Sequence, residues 1–172
     1  MKIAIVSDTH GNAANFRKAV GWLNKENIQT ILHCGDIGSP ESLVESLAEF
    51  KGKLFCVLGN MDRDYRIDLA NYQNKKTQVA EEVLEAELGR RKIAIVHKPE
   101  PANKLAETGK YDLVFYGHTH KPWLARIVTR SVASGEEKIG NCRLVNPGEV
   151  AGQRFKPTFA VYDTETDELE LK

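Results

Sequence analysis

Hydrophobic positions in the first third of the chain alternate between strand-like runs and helix-like spacing. The runs Lys2 to Val6, Thr30 to His33 and Leu54 to Leu58 predict three strands. Between the first two, apolar residues recur at the spacing of one helix face: Ala13, Phe16, Val20 and Leu23. This order predicts a β-α-β-α-β start with right-handed crossovers and a parallel sheet. Ligand sites in such sheets usually lie on the loops at the carboxyl ends of the strands.

A start signal for a second helix precedes the third strand. The triplet Ser39-Pro40-Glu41 supplies an N-cap residue, a proline suited to the first helical position and an acid in the first turn. An apolar stripe then follows at helical spacing: Leu43, Leu47 and Phe50. The helix is therefore expected to begin next to Ser39.

The rest of the chain has shorter strand-like runs separated by turn residues. Glu82 to Leu88 and Arg91 to Val96 flank Gly89-Arg90 and predict a hairpin, although the first run also fits a helix. A short helix is expected after Pro101, ending near Gly109. Five further strands, a buried one and then four of antiparallel type, are predicted: Asp112 to Tyr116, Leu124 to Val132, Ile139 to Val145, Thr158 to Tyr162 and Leu169 to Leu171. The residues alone thus predict an α/β protein with added antiparallel strands.

Composition and charge limit the number of domains and the classes of binding partner. The 172 residues, of which 41% are hydrophobic, suit one domain, taken as 1–172. Lysine plus arginine equals aspartate plus glutamate, 24 each, so no net field favours a long nucleic acid or an anionic membrane surface. The N-terminal region has neither a signal-peptide core nor a bilayer-spanning stretch, so a cytoplasmic protein is expected. Three widely spaced cysteines, Cys34, Cys56 and Cys142, fit reduced core thiols.

Five short polar clusters each follow an apolar run, and their recurrence is the main functional signal. The clusters are Asp8-Thr9-His10, Gly35-Asp36, Gly59-Asn60-Met61-Asp62, His97 and Gly117-His118-Thr119-His120. A strand end is a rigid platform, and a glycine just before the polar residue permits a tight turn. An Asp-x-His triplet alone is more typical of a turn or N-cap than of a metal site. Four of the five histidines nevertheless lie in these clusters, and the combination favours metal binding.

The donor types restrict the metal without choosing it. Carboxylate, amide and imidazole donors without thiolate suit manganese, iron, nickel or zinc, and the side chains do not distinguish these four. In an extended segment, Asp8-x-His10 and His118-x-His120 would each direct two side chains the same way, so each pair could serve one site.

In this order the clusters resemble the motifs of the calcineurin-like metallophosphoesterases, which run D-x-H, G-D, G-N-H-[DE], H and G-H-x-H. The match spans Asp8 to His120. The chain looks most similar to the small archaeal and bacterial phosphodiesterases of that superfamily, through its length, the His33-Cys34-Gly35-Asp36 context and the Asn146-Pro147-Gly148-Glu149 turn. The resemblance implies a four-layer αββα sandwich of two mixed β-sheets flanked by helices.

Carried over to this sequence, the family pattern implies two divalent metal ions, manganese first, with nickel, iron or zinc as alternatives. The first metal would take Asp8, His10, Asp36 and His120. The second metal would take Asp36, Asn60, His97 and His118. The resemblance further implies a phosphodiesterase in which a hydroxide between the metals attacks a small phosphodiester in line. Asp36, Asn60 and His118 are the candidates for a direct catalytic role.

The sequence departs from the family pattern at two clusters. Met61 stands where the family usually has a histidine that assists the leaving group, and a thioether cannot donate that proton. Asp62, which would normally support that histidine, is therefore interpreted as a structural turn acid. Lys98 follows His97 where glycine is common. Lys98 and Arg63 could each contact a substrate phosphate, but the preferred interpretation of both is an exposed surface cation. The remaining histidine, His33, is expected to be structural.

Two alternatives to a phosphodiesterase remain open. A protein-interaction scaffold, like the retromer subunit that shares this fold, need not retain all seven ligand positions, and here none is apolar. A nuclease for long DNA or RNA would need an extended basic groove, which the neutral charge does not favour. A phosphomonoester is the second choice of substrate. The sequence also leaves a homo-oligomer open.

Overall fold

The computed structural model describes residues 1–133 and 136–172, with side chains described outside 130–139. Within these residues there are four α-helices: α1 (Ala13–Lys25), α2 (Pro40–Leu47), α3 (Arg66–Ala70) and α4 (Pro99–Glu107). A 3₁₀ segment, Asn60–Tyr65, leads into α3. The predicted N-cap is confirmed, since the Ser39 side chain accepts a hydrogen bond from the amide of Ser42. No helix in the described parts of the chain is long and apolar enough to cross a bilayer.

Eleven strands lie in the same described ranges and form two sheets. They are β1 (Lys2–Val6), β2 (Thr30–His33), β3 (Lys53–Val57), β4 (Thr77–Ala80), β5 (Val83–Leu88), β6 (Arg91–Val96), β7 (Leu113–Phe115), β8 (Trp123–Ala133), β9 (Glu136–Asn146), β10 (Ala160–Asp163) and β11 (Leu169–Leu171). The first sheet has the order β11-β10-β1-β2-β3-β4, and the second has the order β5-β6-β7-β9-β8.

Both sheets are mixed. In the first sheet, β1 to β4 are parallel and β10 and β11 are antiparallel additions at one edge. In the second sheet, β6, β7 and β9 are parallel, while β5 and β8 pair antiparallel at the two edges. Each sheet thus has its own set of parallel strands whose carboxyl ends can present loops.

Three apolar cores separate four layers. On β1, Ala4 and Val6 pack into the core shared with α1 and α2, while Ile3 and Ile5 pack into the core between the two sheets. A third core joins the outer face of the second sheet to α4, with Ala102 of that helix buried. A strand buried on both faces needs apolar residues at successive positions, which explains the unbroken runs in the sequence. The αββα sandwich implied by the resemblance is confirmed.

Four features of the structure complete or correct the predictions from the sequence. The short strand β4 and the helical segments between residues 60 and 70 were not predicted, because β4 is stabilised by pairing with β3 more than by a local pattern. Strand β9 is antiparallel to β8 as predicted but also parallel to β7. Helix α4 begins at Pro99, before Pro101, because a first helical turn needs no backbone N–H from either proline. Glu82 to Leu88 belongs to the hairpin, not to a helix.

Candidate metal centre

The seven predicted ligand residues all follow the carboxyl ends of parallel strands. In the first sheet, Asp8 and His10 follow β1, Asp36 follows β2, and Asn60 follows β3. In the second sheet, His97 follows β6, and the pair His118 and His120 follows β7. The two sets of strand ends lie at the same end of the sandwich, and the structure brings all seven side chains together.

A first group contains Asp8, His10, Asp36 and His120, whose candidate donor atoms lie within 4.8 Å of one another. The Nε2 atoms of His10 and His120 are 3.2 Å apart, and the His120 Nε2 atom lies 3.5 Å from Asp8 Oδ1. Donors placed about 2 Å from one tetrahedral cation would be separated by about 3 to 3.5 Å. His10 Nε2 lies 3.9 Å from both Asp8 Oδ1 and Asp36 Oδ2, so the spacing within this group comes close to what a single metal ion needs.

A second group shares Asp36 with the first and adds His97 and His118. His97 Nε2 lies 3.4 Å from Asp36 Oδ2 and 2.9 Å from Asn60 Oδ1. The Asn60 oxygen is in turn 2.8 Å from His118 Nδ1. The division into two groups around Asp36 matches the one that the resemblance implied, whereas metal binding by these atoms stays a prediction.

Hydrogen bonds on the far side of two imidazoles leave lone pairs facing the centre. The Nδ1–H of His97 donates to the Cys34 carbonyl oxygen at 2.8 Å, and the Nδ1–H of His120 donates to Glu149 Oε2 at 2.9 Å. In the neutral tautomer with Nδ1 protonated, each Nε2 presents its lone pair to the centre. A metal ion can bind at such lone pairs, so the donor set fits a metal.

Five of the seven candidate ligands have a left-handed backbone, with φ between 44° and 66°. They are Asp8, His10, Asp36, His118 and His120. Side chains other than glycine rarely adopt this conformation, and it persists only where surrounding contacts hold it. Such contacts are present, since the amide of Asp8 donates to the Gly35 carbonyl and the amide of His10 donates to the Asp36 carbonyl. Strain concentrated at these positions is typical of a functional site.

Two of the glycines that precede ligands are required by close approach and not by turn conformation. A Cβ at Gly59 would lie 2.0 Å from Asp36 Oδ1, and one at Gly117 would lie 1.9 Å from the Ser7 hydroxyl and 2.6 Å from Asp8 Oδ2. Only Gly35, with φ of +96°, also has the left-handed backbone expected of a tight turn. Gly59 lets two loops of the first sheet approach each other, and Gly117 lets a loop of the second sheet touch a loop of the first, which brings the donor side chains together.

The electrostatics of the centre favour a cation. Burial raises the pKa of Asp8. Burial alone would also raise the pKa of Asp36, but its contacts with His97, the Met61 amide and His10 lower that pKa overall. Burial opposes protonation of His97, yet the neighbouring Asp36 raises the pKa of His97. The field that attracts a proton to this imidazole would equally attract a metal ion.

Glu149 was not among the predicted site residues, although its turn was noted. It follows β9, which is parallel to β7, so it reaches the same end of the sandwich. The side chain is fully buried and accepts from His120 and from the amides of Gln153, Arg154 and Phe155, at 2.9, 3.0, 2.6 and 2.5 Å. Burial favours the neutral acid, but these donors lower the pKa of Glu149. A carboxylate behind a metal-facing imidazole fixes the ring and strengthens the ligand.

The departures from the family pattern have clear structural positions. The Met61 side chain is 61% exposed at the mouth of the centre. The Asp62 carboxylate is buried and accepts hydrogen bonds from the amides of Gly59 and Gly38, which confirms a structural turn acid.

His33 is fully buried, contacts the Thr9 hydroxyl at 3.0 Å, and has its pKa lowered by burial to about 3. The three cysteines are free and buried, as expected for core thiols.

Two cavities, each of about 380 Å³, open beside the donor groups and share Asn60. One lies over the first group and is bordered by His10, His118, His120 and Met61. The other begins at Asn60 and His97 and extends toward α3 and β5; its remaining wall is formed by Leu58, Gly59, Asp62, Arg63, Arg66, Glu81, Glu82, Val83, Lys98 and Pro101. A group bound at Asn60 would therefore border both cavities.

Comparisons with known proteins agree with this geometry. A family model described as the calcineurin-like phosphoesterase superfamily domain matches residues 1–167. A phosphodiesterase of Methanocaldococcus jannaschii is 30% identical over an alignment of 173 positions. The alignment covers 98% of this chain and 96% of that protein.

Solved structures extend the comparison. A structure of an archaeal phosphodiesterase superposes with a TM-score of 0.81 at 28% identity, covering 100% of this chain and 99% of the other. Vacuolar protein sorting 29 from Entamoeba histolytica, complexed with zinc, has a TM-score of 0.63 at 19% identity, covering 99% and 90%, and shares the fold. From the family model and the relatives together, the chain belongs to the calcineurin-like phosphoesterase superfamily.

Proposed function

We propose that the protein is a phosphodiesterase that depends on two divalent metal ions and hydrolyses a small phosphodiester, within a single domain spanning 1–172. The observation that carries the proposal is the convergence of seven donor side chains into two groups that share the Asp36 carboxylate. One carboxylate between two cations about 3.5 to 4 Å apart is the arrangement used by two-metal phosphoesterases. Manganese is the first choice of metal, with nickel, iron or zinc as alternatives, because the donor set is nitrogen and oxygen.

Each donor group has a role in holding a metal. Asp8, His10, Asp36 and His120 would hold the first ion. Asp36, Asn60, His97 and His118 would hold the second ion. Bound there, the ions would supply Lewis-acid stabilisation of the phosphoryl oxygens and lower the pKa of a water for attack on phosphorus.

The protein itself would orient the ester through Asn60 and His118. With Oδ1 of Asn60 facing His97 and His118, the amide Nδ2–H of Asn60 remains as a donor for a phosphoryl oxygen. With Nδ1 of the exposed His118 facing Asn60, its Nε2 remains as the atom that can meet the substrate. These contacts support the proposal that Asn60, His118 and the shared Asp36 have direct catalytic roles.

A diester is favoured over a monoester by the two cavities that meet at Asn60. A phosphodiester carries an organic group on each side of phosphorus, and each cavity has about 380 Å³ available for one of them. A monoester would leave one cavity without an organic group. The phosphodiesterase activity named for the Methanocaldococcus jannaschii relative supports the same choice.

The alternative is a protein-interaction scaffold, for which the shared fold with vacuolar protein sorting 29 is the specific observation. Fold alone does not carry a function. A scaffold would have no need for seven converged donors, five of them with left-handed backbones, so the enzyme is the better explanation of the strain at these five positions.

The experiment is hydrolysis of bis-p-nitrophenyl phosphate by protein stripped with a chelator, with and without added manganese. Activity is expected to return with the metal in the wild type and to be absent from Asp36→Ala. Asp64→Ala is the matched control, because this aspartate is exposed on the segment next to the centre. If the wild type binds two metals yet hydrolyses neither this diester nor p-nitrophenyl phosphate, the scaffold becomes the better proposal.

A further inference from the structure

The cavity between Asn60, α3 and β5 carries cations that the proposed reaction does not use. Arg63, Arg66 and Lys98 all line it. Arg66 is paired with Glu81, whereas neither Arg63 nor Lys98 takes part in an ion pair with any side chain that the structure describes. Two positive charges are therefore free to act on whatever occupies the cavity.

The wall of this cavity carries three acids and three cations, but most of the acids already have partners. Asp62 is buried and its carboxylate is held by two backbone amides, so it does not face a ligand as a free charge. Glu82, exposed at the start of the hairpin, is the remaining acid. With Arg66 paired to Glu81 and Asp62 held by amides, Arg63 and Lys98 are the cations of this wall that remain without an ion-pair partner among the described side chains, and Glu82 is the acid that remains.

Arg63 and Lys98 are close in the sequence to residues of the second donor group. Arg63 lies in the 3₁₀ segment that begins at Asn60, and Lys98 directly follows His97. Both therefore lie close to the second donor group and border the same cavity. Leu58, Val83 and Pro101 supply apolar surface on that wall, so an organic group can occupy the space between the centre and the cations.

We propose that this cavity binds one organic arm of the diester substrate and that this arm carries a second phosphate, held by Arg63 and Lys98. The inference rests on the proposed function, because it concerns the part of a diester that is not attacked. A terminal phosphate carries a charge of about −1.5 to −2 at neutral pH, which two cations match better than they match a single carboxylate. A planar guanidinium and a flexible ammonium are both common phosphate ligands.

The inference is tested with two diesters that differ only in the extra phosphate. The probes are the p-nitrophenyl ester of thymidine 5′-phosphate and the same ester with an additional 3′-phosphate. The wild type is expected to prefer the 3′-phosphorylated ester by about tenfold in kcat/KM, mainly through KM, since partly exposed charge contacts are modest. Arg63→Gln/Lys98→Gln should remove this preference.

A matched control separates local contacts from net charge. Arg90→Gln/Lys121→Gln removes the same two charges from exposed positions outside the cavity, and Lys121 follows His120 as Lys98 follows His97. This control should keep the preference. Because the ratio of two esters is compared within each protein, a change in overall activity cancels. If the two double variants prefer the 3′-phosphorylated ester to the same extent, the inference is overturned.

A binding measurement distinguishes failure of the inference from failure of the proposed function. Thymidine 3′,5′-bisphosphate and thymidine 5′-phosphate are titrated into manganese-loaded protein on ice, with released phosphate assayed. The wild type and the control are expected to bind the bisphosphate about tenfold more tightly than thymidine 5′-phosphate. Arg63→Gln/Lys98→Gln is expected to bind the two ligands with equal affinity. Equal affinities in the wild type, or no binding of either ligand, would overturn the inference even if bis-p-nitrophenyl phosphate is hydrolysed. A tenfold difference without hydrolysis of any diester would support the binding site and contradict the enzyme.

Discussion

Glu149 and His120 form a buried hydrogen bond of 2.9 Å between Oε2 and Nδ1, directly behind the first donor group. The same carboxylate accepts from three successive amides that begin at Gln153. It thus connects the imidazole of His120 to the loop that borders the mouth of the centre. Glu149 contacts a candidate ligand without belonging to either donor group.

Glu149→Gln is expected to weaken manganese binding by about 10- to 100-fold, the usual effect of removing such a partner. The glutamine keeps the size of the side chain, but its amide nitrogen cannot accept a hydrogen bond. Isothermal titration with manganese measures the change, and denaturant unfolding of the metal-free protein separates it from loss of stability. Unchanged manganese affinity in a folded Glu149→Gln protein would show that this carboxylate has only a structural role.

Met61→His is expected to accelerate diesters with poor leaving groups by at least about tenfold, because an imidazole can donate a proton to the departing oxygen. Met61 is exposed in the same cavity as His118, so the new side chain would have access to the substrate. The measurement compares phenyl and p-nitrophenyl diesters, with Met61→Gln as a control of similar size. No gain with the phenyl ester would count against a missing general acid at this position.

His33 is expected to make the metal-free protein sensitive to acid. Burial lowers the pKa of His33 to about 3 in the folded state, against 6.5 for the ordinary side chain. As pH falls below 6.5, the unfolded chain binds a proton that the folded chain excludes, so stability falls until pH reaches about 3. The slope from this residue is about 1.4 kcal/mol per pH unit. Urea unfolding between pH 7 and 4 should show a shallower loss for His33→Gln; parallel curves would contradict the buried neutral imidazole.

Gly59→Ala and Gly21→Ala should have opposite effects on the stability of the folded protein. A Cβ at Gly59 would lie 2.0 Å from the shared Asp36 carboxylate, so we expect a loss of about 2 kcal/mol in stability together with weaker metal binding. A Cβ at Gly21, in the middle of α1, meets nothing within 4 Å and should stabilise the helix by up to about 1 kcal/mol. Thermal and denaturant unfolding measure both changes. Similar effects of the two substitutions would exclude close approach as the reason for Gly59.

Local patterns in the sequence were sufficient where the information is local. The runs that became β1, β2 and β3 and the cap at Ser39 were read correctly, because periodicity and capping chemistry act within a few residues. The stacking of the two sheets came from the resemblance and not from periodicity, since Ile3 and Ala4 point to different cores without differing in apolar character.

Longer-range relations could not be read from the residues. Glu149 escaped prediction because its partner His120 is 29 positions away and the two meet only when β9 lies beside β7. The reason for Gly59 was likewise hidden, since the turn needs no positive φ and the close neighbour is Asp36 on another loop. In both cases the missing information was the pairing of strands, and a glutamate in the turn after β9 was the only local signal.

Metal content per chain is the decisive quantity for two donor groups that share Asp36. Wild-type protein, Asp36→Ala and the exposed control Asp64→Ala would be dialysed to equilibrium against manganese, and the bound metal counted by mass spectrometry. Two manganese ions per chain are expected in the wild type and in Asp64→Ala, and at most one in Asp36→Ala. One ion or none in the wild type at saturation, or two ions retained by Asp36→Ala, would contradict a dinuclear centre bridged by this carboxylate.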